Sequence, residues 1–418
     1  MPVSIPWTTS DRVVLASGLV IALLVRLALL PAAGLRGDID QFVLWVHGLA
    51  TAPLSEAYRM DLSFPPVMVY VFAALAAIEP AFRTTTDAAD PWIRAVMKTP
   101  ATLADLGLAF VVVYALRDRP RAAVAAAVSV LVLPAVFYDS AWWGQFESIY
   151  SLFGLAACVL AVSGHDRIAV AALAVALMAK PQALPFAVPF VAWFIARHDP
   201  RELLRLAAIA AGVIVALWLP FLADGGLWAY ARSLAHSQVD LYAFLSLRAW
   251  NFWWLVQEAY TGGGFVSDAT TVLGPLSARV VGLLLTTLLE LVVFFAVLRR
   301  PTSRALVLGL AASTLVAFAF LTTMHERYAY AAAVFLLLLA PEAGTRWLWL
   351  SLGAVLSLNL VAAVPPTDEI GALIPISGPL GIAGSLGILA ITTGTLLSLL
   401  RESRSPAEVN APLSLASG

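Results

Sequence analysis

Residues 11–41 read DRVVLASGLVIALLVRLALLPAAGLRGDIDQ, and the fold follows from how this stretch is taken. From Val13 to Pro31 it runs about 19 residues with Arg26 as its one charge, long enough at about 1.5 Å per residue to cross a hydrocarbon core of about 30 Å. Pro31-Ala32-Ala33 resembles a signal-peptide cleavage site. The run is longer than a signal h-region and carries an arginine, so it reads as an uncleaved first span. Directly after it come Asp38 and Asp40.

The same kind of run recurs along the chain, near 11–31, 99–116, 121–137, 147–163, 168–180, 183–197, 203–222, 275–298, 304–322, 328–341, 346–364 and 376–400. The expectation is an all-α, polytopic transmembrane bundle of about twelve spans, occupying 1–400 as one domain and followed by a cytoplasmic tail, 401–418. Composition agrees. Of 418 residues 61% are hydrophobic and 12% charged, against about 25% charged in soluble domains, and mean hydropathy is +0.88. That excludes a soluble globular enzyme. A net charge of −1 without long like-charge blocks excludes a nucleic-acid partner. Cys158, the single cysteine, excludes an intramolecular disulfide and a cysteine-based metal site.

Basic clusters set the orientation, because cytoplasmic loops are enriched in Lys and Arg. Arg117/Arg119/Arg121, Arg197/Arg201/Arg205, Arg299/Arg300/Arg304 and Arg401/Arg404 all fall on one side of a twelve-span chain, which makes both termini cytoplasmic. The other side receives two long segments, 32–98 and 223–274. Within the first, the apolar run 67–78 is too short to cross and reads as an interfacial or re-entrant helix. The second is rich in Trp and Tyr, which suits a headgroup-level surface or a carbohydrate or lipid groove. Its Gly262-Gly263-Gly264 reads as a flexible loop, since no Walker-type lysine follows.

Ionisable residues at membrane depth are costly, and four places on that second side collect them. Asp38 and Asp40, at i and i+2, suit a general base or a divalent-metal site; they also suit the cap of a helix at 41–50. Tyr138 to Glu147 joins two spans, and its alternative reading is a turn with an aromatic belt. Lys180, one of two lysines, holds an anion or snorkels. His325-Glu326-Arg327 gives a cationic site or an interfacial ion pair; a His-Glu-x-x-His zinc motif is excluded because residue 329 is Ala. Arg26, Asp105 and Glu290 read as interhelical pairing residues, Arg26 with Asp105 first.

Taken together, Gly37-Asp38-Ile39-Asp40-Gln41 with Trp45, Phe64-Pro65-Pro66, Asp139 with Trp143-Gly144-Gln145, Lys180 with Gln182, Asn251-Phe252-Trp253 and His325-Glu326-Arg327 resemble the glycosyltransferase C superfamily. They are similar to the dolichyl-phosphate-glucose-dependent glucosyltransferases and their bacterial relatives. The resemblance implies inverting transfer of a hexose or pentose from a polyprenyl-phosphate donor to a lipid-linked or cell-envelope glycan acceptor, on the extracytoplasmic face. It implies Asp38 as general base with Asp40 beside it, and Lys180, His325 and Arg327 on the donor phosphate. Asp139, Trp143, Gln145, Glu147, Gln182, Asn251, Trp253 and Glu326 are implied in substrate binding. Glu147 departs from the pattern, standing where bacterial relatives often carry Asp. A divalent metal at Asp38 and Asp40 stays open. The competing function is a transporter or lipid flippase, for which buried charges at the midplane and an inverted repeat are expected; the hydropathy shows no such repeat.

Overall fold

The computed structural model describes residues 6–404; the chain ends, and with them most of the expected 401–418 tail, lie outside the described residues. The helices are α1 (Thr9–Leu29), α2 (Arg36–Thr51), α3 (Pro66–Ile78), α4 (Pro91–Ala115), α5 (Pro120–Val132), α6 (Pro134–Phe137), α7 (Glu147–Val162), α8 (Asp166–Leu177) and α9 (Ala187–Arg197). They continue with α10 (Pro200–Leu222), α11 (Gly226–His236), α12 (Phe252–Thr261), α13 (Ala278–Arg299), α14 (Ser303–Phe320), α15 (Tyr330–Leu337), α16 (Ala343–Ala363), α17 (Asp368–Leu373) and α18 (Pro379–Arg404). Two short strand pairs complete the architecture. β1 (Ser246–Leu247) runs parallel to β4 (Met324–His325), and β2 (Thr271–Leu273) antiparallel to β3 (Leu276–Ser277).

Each of the twelve apolar runs contains a helix. Among the described residues, seven helices are long and apolar enough to cross a membrane, and an eighth if Pro120–Val132 and Pro134–Trp143, bent by 48°, form one span. The chain is therefore a multi-pass, all-helical membrane bundle. Length and hydropathy alone do not carry the expected count of twelve, because the remaining runs fold as short helices: α7, α8, α9 and α15 have 16, 12, 11 and 8 residues. Pro181 and Pro185 account for one of these breaks, interposing a 3-10 turn (Pro181–Phe186) before α9.

Local signals set the helix starts. Thr8 and Asp11 form a capping box ahead of α1, while Asp90-Pro91 and Asp199-Pro200 cap and open α4 and α10. The Asp90 cap moves the start of α4 to residue 91, eight residues before the expected 99. α14 is almost wholly buried and packs against α9, α13, α15 and α18. α1 and α10 lie at the periphery, where Leu24, Leu27, Leu204 and Leu219 are exposed. Apolar surface of that extent is stable against lipid and not against water.

The 223–274 segment departs from the expected aromatic surface. Trp250, Trp253 and Trp254 are buried, with Trp250 Nε1 donating to the Ile376 carbonyl and Trp253 Nε1 to that of Phe320. Their rings fill the space between α12, α14 and α18 instead of facing headgroups. Trp228 and Tyr260 remain exposed.

Inside the bundle, Arg26 and Asp105 form the expected pair. The Arg26 Nη2 to Asp105 Oδ2 distance is 2.9 Å, and both side chains are fully buried. Ser140 Oγ donates to the same carboxylate oxygen at 2.6 Å and Arg26 Nη1 to the Leu131 carbonyl at 2.9 Å, so the pair ties α1, α4 and α5 to the chain leading out of α6. Removing one partner of a buried pair strands the other charge and costs about 3–5 kcal/mol. Arg26→Met and Asp105→Leu are each expected to lower thermal unfolding stability in detergent by that order. The double variant should recover much of the loss, and additive losses would refute the pairing as the source.

Candidate active site

Four segments meet around a cavity of about 780 Å³. Asp38 reaches it from the first turn of α2. This helix begins at Arg36, not at 41, so Asp38 and Asp40 are helical neighbours at i and i+2, which project about 200° apart. Asp38 lines the cavity; Asp40 does not. Asp40 instead accepts from the Ala88 amide at 2.7 Å and pairs with Arg36 at 3.1 Å. The two acids therefore face different surroundings, Asp38 the cavity and Asp40 the Ala88 amide and Arg36. No group of three or more His, Cys, Asp or Glu side chains gathers as a metal site among the described residues.

The second segment is a π-type turn, Tyr138–Trp143, ended by Gly144 at φ 95°. A side chain at Gly144 would be strained by that φ and would press on Lys98, with a Cβ at 3.1 Å from Lys98 Cγ. Lys98, unassigned in the sequence, is buried within α4 and donates to the carbonyls of Ala32 and Trp142 at 2.7 and 2.6 Å. It thereby fastens the turn to the chain just before α2. Its signal in the sequence was its rarity, as one of two lysines. The turn delivers Trp143 Nε1 and Gln145 Nε2, which donate to Asp38 Oδ2 at 3.0 and 2.6 Å. Asp38 Oδ1 has no hydrogen-bond partner among the described residues. One carboxylate oxygen is thus held and the other left free.

The third segment follows α8 and carries Lys180 and Gln182; the fourth follows α14 and carries His325, Glu326 and Arg327. All five line the cavity. Behind the wall sits Glu147, at the start of α7 and fully buried. It forms a close ion pair with Lys180 and accepts from Arg327 Nε at 3.2 Å. Arg327 Nη1 also donates to Glu326 at 2.6 Å, the ion pair expected between neighbours. The guanidinium lies 4.9 Å from the centre of the Trp143 ring, so one indole contacts both Asp38 and the cation cluster.

Glu147, Asp139, Asn251 and Trp253, all expected in substrate binding, do not line the cavity. Glu147 is a counter-ion because burial forces Lys180 and Arg327 to find an opposite charge. Asp139 is fully buried beyond it, its carboxylate oxygens without a donor among the described residues. Asn251 caps α12 by accepting from Trp254 N and donates to the Phe318 carbonyl, while Trp253 is packed as described above. Burial, with Arg327 and Lys180 close by, pushes the His325 imidazole well below its ordinary range. That shift disfavours the charged imidazolium. Burial also raises the Glu326 carboxyl, with Arg327 opposing the shift.

Two further features of the cavity escaped the sequence reading. Its wall includes Arg248, a basic residue within the aromatic 223–274 segment. It also includes the apolar Leu184, Val188, Leu283 and Phe318 together with Thr286, Thr314 and Glu290, and Leu184 and Leu283 are exposed.

A model of the ALG6, ALG8 glycosyltransferase family matches residues 56–362, which covers the second, third and fourth of these segments and begins after Asp38. No curated protein matches.

Trp143→Phe keeps the ring and removes one donor from Asp38. A hydrogen bond to a charged group is worth about 1.5–3 kcal/mol, so sugar transfer is expected to fall about tenfold or more, beyond any loss of folded protein read from detergent thermostability. Unchanged transfer rates would show that the indole N–H does not position the carboxylate.

Proposed function

This chain belongs to the ALG6, ALG8 glycosyltransferase family, and from that premise we propose that it transfers a hexose or pentose from a polyprenyl-phosphate donor to a lipid-linked or cell-envelope glycan acceptor, with Asp38 as general base. The observation that carries the reading is the Asp38 carboxylate. One oxygen is fixed by Trp143 and Gln145, the other is free, and the cavity wall beside it bears His325 and Arg327.

The chemistry is a single displacement. The acceptor hydroxyl oxygen attacks the anomeric carbon, and the bond from that carbon to the phosphate oxygen breaks on the opposite face. The hydroxyl proton passes to Asp38, and polyprenyl phosphate leaves with the electron pair. Inversion at the anomeric carbon follows, and no covalent sugar–enzyme intermediate is needed. Arg327 and Lys180, both on the cavity wall, supply N–H donors where negative charge develops on the leaving phosphate, and His325 supplies a ring nitrogen beside them. The apolar side chains of Leu184, Val188, Leu283 and Phe318 on the cavity wall suit a polyprenyl chain approaching from the lipid. As part of the same proposal, all twelve runs cross the membrane and both termini are cytoplasmic. The site then opens on the extracytoplasmic side, the side opposite the Arg117, Arg197, Arg299 and Arg401 clusters.

The test is a panel of polyprenyl-phosphate sugars offered to the purified protein in lipid. General-base removal costs about 10²–10⁴ in rate, so Asp38→Asn is expected to lose transfer by that factor while remaining folded and membrane-inserted. Asp40→Asn is expected to retain transfer, since its carboxylate lies outside the cavity. Full activity of Asp38→Asn would remove the base assignment, and equal loss in both variants would point to damage to α2.

A further inference from the structure

Three cationic side chains line the cavity: Lys180, Arg248 and Arg327. Two of them are already balanced, Lys180 by Glu147 and Arg327 by Glu147 and Glu326. Arg248 differs. It is exposed, and no carboxylate pairs with it among the described residues. Its Nη1 donates to the Ala363 carbonyl at 2.6 Å, an oxygen at the last turn of α16, and the rest of the guanidinium makes no further hydrogen bond among the described residues.

Its backbone is also special. Arg248 has φ 65°, in the left-handed region that side-chain-bearing residues avoid and that costs about 1–3 kcal/mol when held. Two groups of buried Asn359 impose it. Asn359 Nδ2 donates to the Arg248 carbonyl at 2.8 Å, and Asn359 Oδ1 accepts from the Trp250 amide at 2.9 Å. On the other side Arg248 bridges to His325 at the end of the β1–β4 pair. A strained residue, clamped from within α16 and bridged to His325, presents a guanidinium whose charge no acid offsets.

Resting on the donor reading above, we infer that Arg248 binds the donor's phosphate, its unpaired guanidinium edge hydrogen-bonding the phosphate oxygens beside His325 and Arg327. Guanidinium matches phosphate oxygens with paired N–H donors, and a cation with no carboxylate partner attracts a phosphate anion more strongly than one already ion-paired. Arg248 is assigned here as a binding residue with no role in proton transfer.

Glycine adopts φ 65° without strain, so Arg248→Gly deletes the cation and keeps the local chain path. Binding of a short-chain polyprenyl monophosphate, the matching polyprenol and inorganic phosphate is measured for wild type, Arg248→Gly and Arg248→Lys in nanodiscs by intrinsic tryptophan fluorescence. Charge-assisted hydrogen bonds of about 1.5–3 kcal/mol predict that Arg248→Gly weakens monophosphate binding about 10- to 100-fold, leaves polyprenol binding unchanged, and is partly rescued in Arg248→Lys. Wild-type monophosphate affinity in Arg248→Gly, or equal loss of monophosphate and polyprenol, overturns the assignment and leaves the donor reading intact. Inorganic phosphate bound as tightly as the lipid monophosphate overturns the lipid source of the anion. If wild type does not prefer monophosphate over polyprenol, the donor reading itself fails.

Discussion

Everything at the cavity depends on one electrostatic constraint: a charge taken out of water into an apolar bundle must meet its opposite. Glu147 meets that requirement for two cations at once, holding Lys180 from the chain after α8 and Arg327 from the chain after α14. Three stretches separated by long runs of sequence are thereby drawn to one point. The same logic operates deeper, where Asp105 collects Arg26 and Ser140 and anchors the start of the π-type turn. That turn carries Trp143 and Gln145 to Asp38, so the buried pair and the cavity are links in one chain of support.

Much of this was legible in the residues. Twelve apolar runs each contain a helix, the Arg26–Asp105 pair was readable from the scarcity of charge inside spans, and the four polar clusters do converge. What was not legible depended on local phase or on distant packing. Two acids at i and i+2 look like partners in a loop and face apart on a helix; only the start of α2 at Arg36 decides between them. Glu147 looks like a helix-opening acid until Lys180 and Arg327 arrive from far along the chain. The tryptophans of the 223–274 segment looked like a surface because their density is high, yet α14 and α18 cover them. Arg248 carries no motif; its distinction lies in a backbone angle and in the absence of an acid nearby, and neither is written in composition.

Polarity is therefore arranged in two layers. The inner one, with Asp139 and Glu147, is sealed from the cavity and fixes geometry. The outer one, with Asp38, His325, Arg248 and Arg327, faces the cavity. Trp143 spans the two, its N–H on Asp38 and its face against Arg327. A residue in contact with both carboxylate and cation fixes their spacing.

The parallel pairing of β1 with β4 has a consequence for how such a protein diversifies. Those contacts are between main-chain atoms, indifferent to which side chains stand at Ser246, Leu247, Met324 and His325. Leu247, Met324 and His325 line the cavity, so substitution at these three positions alters its wall while the main-chain seam still holds the two stretches in register.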